Sequence, residues 1–122
     1  MKARIARPTA MTDELIFADR EGVIRRWSAS AEALFGHTQG EALGKSLDLI
    51  IPEHLRAGHW RGYDAAIATG RTRLGEKPMR TRAVHKDGGK VYVEMAFSLV
   101  KDEKGEVLGA AASTIPPSGR SP

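Results

Sequence analysis

Between Val91 and Leu99 apolar side chains occupy every second position, Val91, Val93, Met95, Phe97 and Leu99, against Tyr92, Glu94, Ala96 and Ser98. A period of two puts each set on its own side of an extended strand, so one side is destined for a core and the other for water or a partner. A helix cannot satisfy that pattern. Such a strand is not stable alone, so the rest of the chain must supply neighbouring strands and a cover for the apolar side. With 122 residues, 41% of them hydrophobic, there is material for one core and one domain. Any buried ligand must share the interior that holds the fold together.

The neighbours are legible on both sides. Glu14-Leu-Ile-Phe-Ala18 is a short apolar run, Asp19–Gly22 supplies a turn, and Val23–Trp27 resumes the extended pattern, which predicts a hairpin. Two more extended segments, about Leu74–Val84 and Val107–Thr114, flank the central one across the turns Lys86–Gly89 and Lys101–Gly105. Ser28 or Ser30 caps a short helix over Ala31–Phe35 that Gly36 ends, and Thr38 caps another over Gln39–Leu43 that Gly44 ends. After Ile50-Ile51-Pro52, the proline-free segment Glu53–Ala68 running into Thr69-Gly70 predicts the longest helix. The order predicts an α+β domain in which short helices and one longer helix cover one face of a five-stranded antiparallel sheet. Its expected extent is residues 12–115, with 1–11 a flexible N-terminal segment and 116–122 a tail rich in Pro, Ser and Gly.

Composition removes several function classes. The absence of cysteine excludes disulfides, thiolate catalysis, zinc–cysteine and iron–sulfur sites, and flavin–cysteinyl photochemistry. No apolar run approaches the roughly 18–20 residues of a membrane span, and none resembles a secretory h-region, so a cytoplasmic protein without membrane contact is expected. The net charge of +4 is spread among interspersed charges, the basic clusters Arg25-Arg26, Arg71-Thr72-Arg73 and Arg80-Thr81-Arg82 are short, and aromatic residues make up only 6%. Direct nucleic-acid binding is therefore not expected. There is no Gly-x-Ser-x-Gly elbow, no phosphate-cradling glycine loop and no carboxylate pair with a histidine, so no enzymatic activity is expected.

Ile16-Phe-Ala-Asp-Arg-Glu-Gly-Val-Ile-Arg-Arg-Trp27, Ala31-Glu-Ala-Leu-Phe-Gly36, Glu41-Ala-Leu-Gly44, Ile50-Ile-Pro52, His85-Lys-Asp-Gly88 and Asp102-Glu-Lys-Gly105 stand in the order seen in PAS sensor domains. The resemblance covers about Thr12–Thr114. Within it, Ile51-Pro-Glu-His-Leu-Arg-Ala-Gly-His-Trp-Arg-Gly-Tyr63 resembles the long helix of haem-binding PAS domains of the FixL oxygen-sensor type, and His59 falls where their proximal haem histidine sits. The resemblance implies a sensory domain that binds haem b through His59 and reports a gas or a redox change to an output module, with a homodimer formed through the outer sheet face or the flanking segments. The alternative is a haem-free PAS domain that binds a small organic ligand or serves only as a dimerisation module.

The residues themselves support His59 as a ligand. Leu55, His59, Gly62, Tyr63 and Ala66 share one helical face by their spacing. Gly62 and Ala66 are small enough to leave room for a flat macrocycle against Val93, Met95 and Phe97, and a neutral imidazole is the form that binds iron. Leu74 is a further candidate for the cofactor wall. Arg71, Arg73, His54 and Lys77 are candidates for the propionates, with Arg73 taken into the site. In an ungapped reading, the position at which the oxygen sensors resemble one another in using an arginine is Met79, which donates no hydrogen bond but can pack in the pocket or serve as a sixth iron ligand. A one-residue bulge in that strand would be needed to turn Arg80 or Arg82 inward. His37, His54 and His85 read as surface or loop residues. Pro116-Pro117 blocks a direct helical continuation.

Overall fold

The computed structural model describes residues 13–72 and 79–114, so the flanking segments and the expected positions Arg73, Leu74 and Lys77 lie outside the described residues. Strands β1 (Asp13–Asp19), β2 (Ile24–Trp27), β3 (Met79–Val84), β4 (Lys90–Lys101) and β5 (Val107–Thr114) form one antiparallel sheet in the order β2-β1-β5-β4-β3. The last strand therefore lies at the centre, which joins the N-terminal hairpin to the C-terminal meander. Helices α1 (Ala29–Phe35), α2 (Gln39–Ala42) and α3 (Arg56–Thr69) occur between the hairpin and the meander. This is the α+β layout expected from the sequence.

Local chemistry explains the short elements. Ser28 Oγ accepts the Ala31 N–H at 3.1 Å to start α1, and Gly36, at φ +84°, ends it in the left-handed region that favours glycine. The His85 ring lies so close to Gly36 that a Cβ there would collide with it. Thr38 and Glu41 form a reciprocal capping box on α2. In β1 a bulge between Glu14 and Ile16 lets consecutive Leu15 and Ile16 both reach the interior, and both are buried.

The packed core lies under α1 and α2. Leu15, Ile24, Trp27, Ala31, Phe35 and Ala42 are all buried there, and the Trp27 and Phe35 rings meet at 5.6 Å in a tilted pair. Trp27 Nε1–H donates to the His37 carbonyl at 2.9 Å, so the indole's one polar group is satisfied inside the cluster.

Two 3₁₀ turns refine the expected outline. The long helical segment opens at Glu53, as expected, but its first turn, Glu53–Leu55, is 3₁₀, with the Leu55 N–H bonded to the Pro52 carbonyl at 2.9 Å, and it winds as α-helix from Arg56. Leu47–Ile50 is a 3₁₀ turn that sequence patterns did not reveal, capped by Ser46. Strand β3 pairs with β4 without a break from Met79↔Met95 to Val84↔Lys90, so the bulge that would be needed to turn Arg80 or Arg82 inward does not occur in this stretch.

Candidate functional site

Helix α3 has no buried residue along its 14 positions, although it is the longest helix of the described chain. Its sequence is the reason: three of the six residues it turns toward the sheet, Gly58, Gly62 and Ala66, are small, so it presents little bulk to fill the space before the sheet. Between them lies a cavity of about 370 Å³, in the range of small-molecule sites. His59, Gly62, Tyr63 and Ala66 line it from α3, Met95 and Phe97 from β4, and Met79 from β3. These seven are residues the sequence places in a cofactor site.

Two of the residues expected at the site fall elsewhere. Leu55 is 41% exposed at the end of the 3₁₀ turn and does not line the cavity, because the turn breaks the helical spacing that would have aligned it with His59. Val93 is buried in the packed core instead, since the cavity lies along the later part of β4. Sequence reasoning missed the wall supplied by Ile16 and Ala18 of β1 and Ala110, Ala111 and Ala112 of β5. The run Gly109-Ala-Ala-Ala112 was the available signal, a strand too thin to fill a core.

His59 is half-buried, and its Nδ1 is buried with no hydrogen-bond partner among the described residues. Its ring packs edge-on against Trp60 at 4.6 Å and lies 5.7 Å from Tyr63. Burial pushes the His59 pKa below its ordinary value, against the opposing pull of Asp48 and Asp64, so the neutral imidazole is favoured. A neutral ring with an unclaimed nitrogen in an apolar enclosure is the form of histidine that ligates metals.

Hydrogen bonds fix the helix that carries it. Arg56 donates to the Ile51 carbonyl at 3.0 Å and to the Asp48 carbonyl at 3.2 Å. Trp60 Nε1–H donates to Asp48 Oδ1 at 2.8 Å, and its ring covers Gly22 so closely that a Cβ there would overlap it. Tyr63 O–H donates to the Asp19 carbonyl at 2.6 Å and lies 3.3 Å from that of Ala18.

On β3 the pairing register sets which side chains face inward. Met79, opposite Met95, is on the cavity side, whereas Arg80 and Arg82 are opposite Glu94 and Tyr92 on the other side. Arg82 still borders the cavity at this edge of the sheet, and its Nε is buried without a partner among the described residues. Arg71 and His54 are exposed. His37 and His85 are in loops, as expected, but both are half-buried and support the local structure. His37 packs edge-on against Trp27, and His85 Nδ1 accepts the Asp87 N–H at 3.1 Å. The outer sheet face carries exposed Tyr92 and Glu94 and half-buried Ala96 and Ser98. Among the described residues there is no group of three or more His, Cys, Asp and Glu side chains placed to hold a metal ion, and no helix long and apolar enough to cross a membrane.

Comparison with known proteins gives consistent results. The chain is 32% identical over 97 residues to a protein of Azorhizobium caulinodans, an alignment spanning 79% of this chain and 13% of that one. It is 38% identical over 47 residues to the sensor protein FixL of Bradyrhizobium diazoefficiens, covering 38% of this chain and 9% of FixL. It is 29% identical over 77 residues to the oxygen sensor protein DosP of Escherichia coli, covering 63% of this chain and 10% of DosP. The chain thus spans a small part of each of these longer relatives. Among solved structures, a PAS domain from Colwellia psychrerythraea superposes with a TM-score of 0.71 at 20% identity, covering 88% of each chain. The PAS domain of the quorum-sensing receptor RpfR from Cronobacter turicensis, in complex with C12:0, superposes with a TM-score of 0.62 at 16% identity, covering 84% of this chain and 93% of that one. The PAS-fold family model matches residues 9–121, and the chain belongs to that family.

Proposed function

We propose that this PAS domain is a sensory module whose cavity would take haem b, with His59 as the residue that would hold its iron. It reports a gas or redox change to an output module elsewhere in a longer protein. The observation that carries this reading is the half-buried His59 imidazole, with Nδ1 unpartnered, on a helix held off the sheet by an apolar cavity. The donor set fits the group. Aliphatic and thioether side chains on the sheet suit the macrocycle, neutral His59 suits the iron, and the unpartnered Arg82 Nε at the rim suits a propionate. The sequence similarity to FixL and DosP supports the same assignment.

When bound, haem supplies an iron centre that exchanges an electron or takes a diatomic gas. The chain's own residues do the rest. His59 stays neutral because burial disfavours its charged form, which keeps the nitrogen lone pair available near neutral pH. Trp60 and Tyr63 hold the helix through Asp48 and Asp19, and so restrict where the imidazole stands. Met79 and Met95, paired across β3 and β4, present polarizable, non-donating side chains to the cavity. The outer sheet face, with Tyr92, Glu94, Ala96 and Ser98, is the proposed contact for a second subunit, and the flanking segments the proposed link to the output module.

The test is the visible absorption spectrum of the purified domain reconstituted with haemin, beside His59→Ala. A Soret band characteristic of bound haem in the wild type, lost or strongly altered in His59→Ala, is expected. An unchanged band in the variant removes His59 as ligand, and no bound haem in the wild type removes the haem reading. A second reading, a haem-free sensor of a small apolar organic ligand, is favoured by the aliphatic wall from Ile16, Leu47, Ile50, Ile51, Ile67 and Leu99. Such a wall suits a hydrocarbon chain, as in the C12:0 complex of the structurally similar RpfR domain.

A further inference from the structure

Tyr63 belongs to two structures at once. Its ring lines the cavity, while its hydroxyl leaves the cavity and donates to the Asp19 carbonyl at the last residue of β1. That carbonyl also accepts the Gly22 N–H at 2.9 Å, and the Asp19 carboxylate accepts the N–H groups of Glu21 at 2.9 Å and Val23 at 3.0 Å and pairs with Arg25 at 2.8 Å. Asp19 therefore organises the whole β1–β2 turn. The neighbouring Arg20 extends the network by donating to the Val107 carbonyl, at the start of the central strand β5, at 2.7 Å. Among the described residues, the hydrogen bonds of Arg56 and Trp60 on α3 reach the 3₁₀ segment and its flank at Asp48 and Ile51. Tyr63 thus hydrogen-bonds the helix directly to strand β1.

We propose that the Tyr63–Asp19 hydrogen bond is a mechanical link that reads the filling of the cavity and passes the helix displacement to the β1–β2 turn and β5. A body placed between α3 and the sheet moves the helix relative to β1, and a 2.6 Å hydrogen bond is short-ranged enough to respond to small displacements. The phenol is well suited to such a link. Burial, with nearby Asp19, Asp64 and Glu21, raises its pKa to about 12, so it remains a donor throughout the physiological range. The inference rests on the cavity being the ligand site, and not on which ligand fills it.

The test needs no ligand. Ala66→Leu adds bulk to the cavity from the helix side and Ala112→Leu from the sheet side, so the two serve as independent fillers. The readout is the ¹³C carbonyl shift of Asp19 by NMR, which reports the bond it accepts. Tyr63→Phe alone is expected to move that resonance upfield. Each filler is expected to move it in the Tyr63 background and to leave it unchanged in the Tyr63→Phe background. An Asp19 carbonyl unaffected by Tyr63→Phe, or moved equally by a filler in both backgrounds, overturns the link. Loss of haem binding in the spectroscopic test above leaves these results unchanged, so the two proposals fail separately.

Discussion

The two ends of the sheet's inner face treat the same problem in opposite ways. Beneath α1 and α2, Phe35, Trp27, Leu15 and Ile24 close the interior, with Phe35 and Ile24 at 0% exposure. Beneath α3, Gly58, Gly62 and Ala66 leave gaps between His59, Tyr63 and Ile67, no residue of the helix is buried, and a cavity of about 370 Å³ remains. Bulk residues on one side supply stability, while small residues on the other create a site. The consequence is that destabilisation and loss of ligand should map to different halves of the molecule.

The sharpest break of that comparison comes from the packed half. Phe35→Ala should cost about 3–5 kcal/mol, since a fully buried ring leaves a cavity that neighbours cannot close. Urea denaturation should show this as a large drop in midpoint. His59→Leu, in the other half, should leave the midpoint of the ligand-free protein nearly in place.

Much of the packed half was legible in the sequence, and less of the cavity half. Ser28, Gly36, Thr38 and the alternation through β4 are local signals, and the elements they mark stand where expected. The cavity is a difference between surfaces distant in sequence, so only its helix and the strands β3 and β4 were anticipated. Leu55 was misplaced because an ideal helical wheel was extended through residues that wind as a 3₁₀ turn after Pro52. The walls from Ile16, Ala18 and Ala110–Ala112 escaped notice because β5 pairs with both β1 and β4, a topology no local pattern encodes. The Tyr63–Asp19 bond, joining residues 44 apart in sequence, has no sequence signature either.

Smaller effects sharpen the contrast. Ala66→Leu should stabilise the ligand-free protein by on the order of 1 kcal/mol, because added methylenes enter open apolar space. Thermal unfolding should show a raised midpoint, and haemin titration of the same variant should show weakened uptake. Thr38→Ala, which removes one arm of the capping box, should cost about 1 kcal/mol in the packed half, with no effect on haemin uptake.

The smallest effect is in pH. The folded-state pKa of His59 lies below its ordinary value near 6.5, so the unfolded chain binds the extra proton as pH falls. Stability is unaffected by this group above about pH 7 and is lost progressively as pH drops through 6.5 toward the folded-state value. Denaturation midpoints between about pH 7.5 and 5.5 should decline more steeply for wild type than for His59→Leu. Equal slopes would mean that the imidazole is not held in a desolvated setting.

The central claim is that a ligand completes the packing of α3 against the sheet. Backbone amide hydrogen exchange of residues 60–69, with and without saturating haemin, tests it most directly. The account predicts added protection concentrated in this helix and absent from α1, with the gain lost in His59→Ala. Haemin uptake that leaves exchange in α3 unchanged would put the ligand somewhere else and contradict the account.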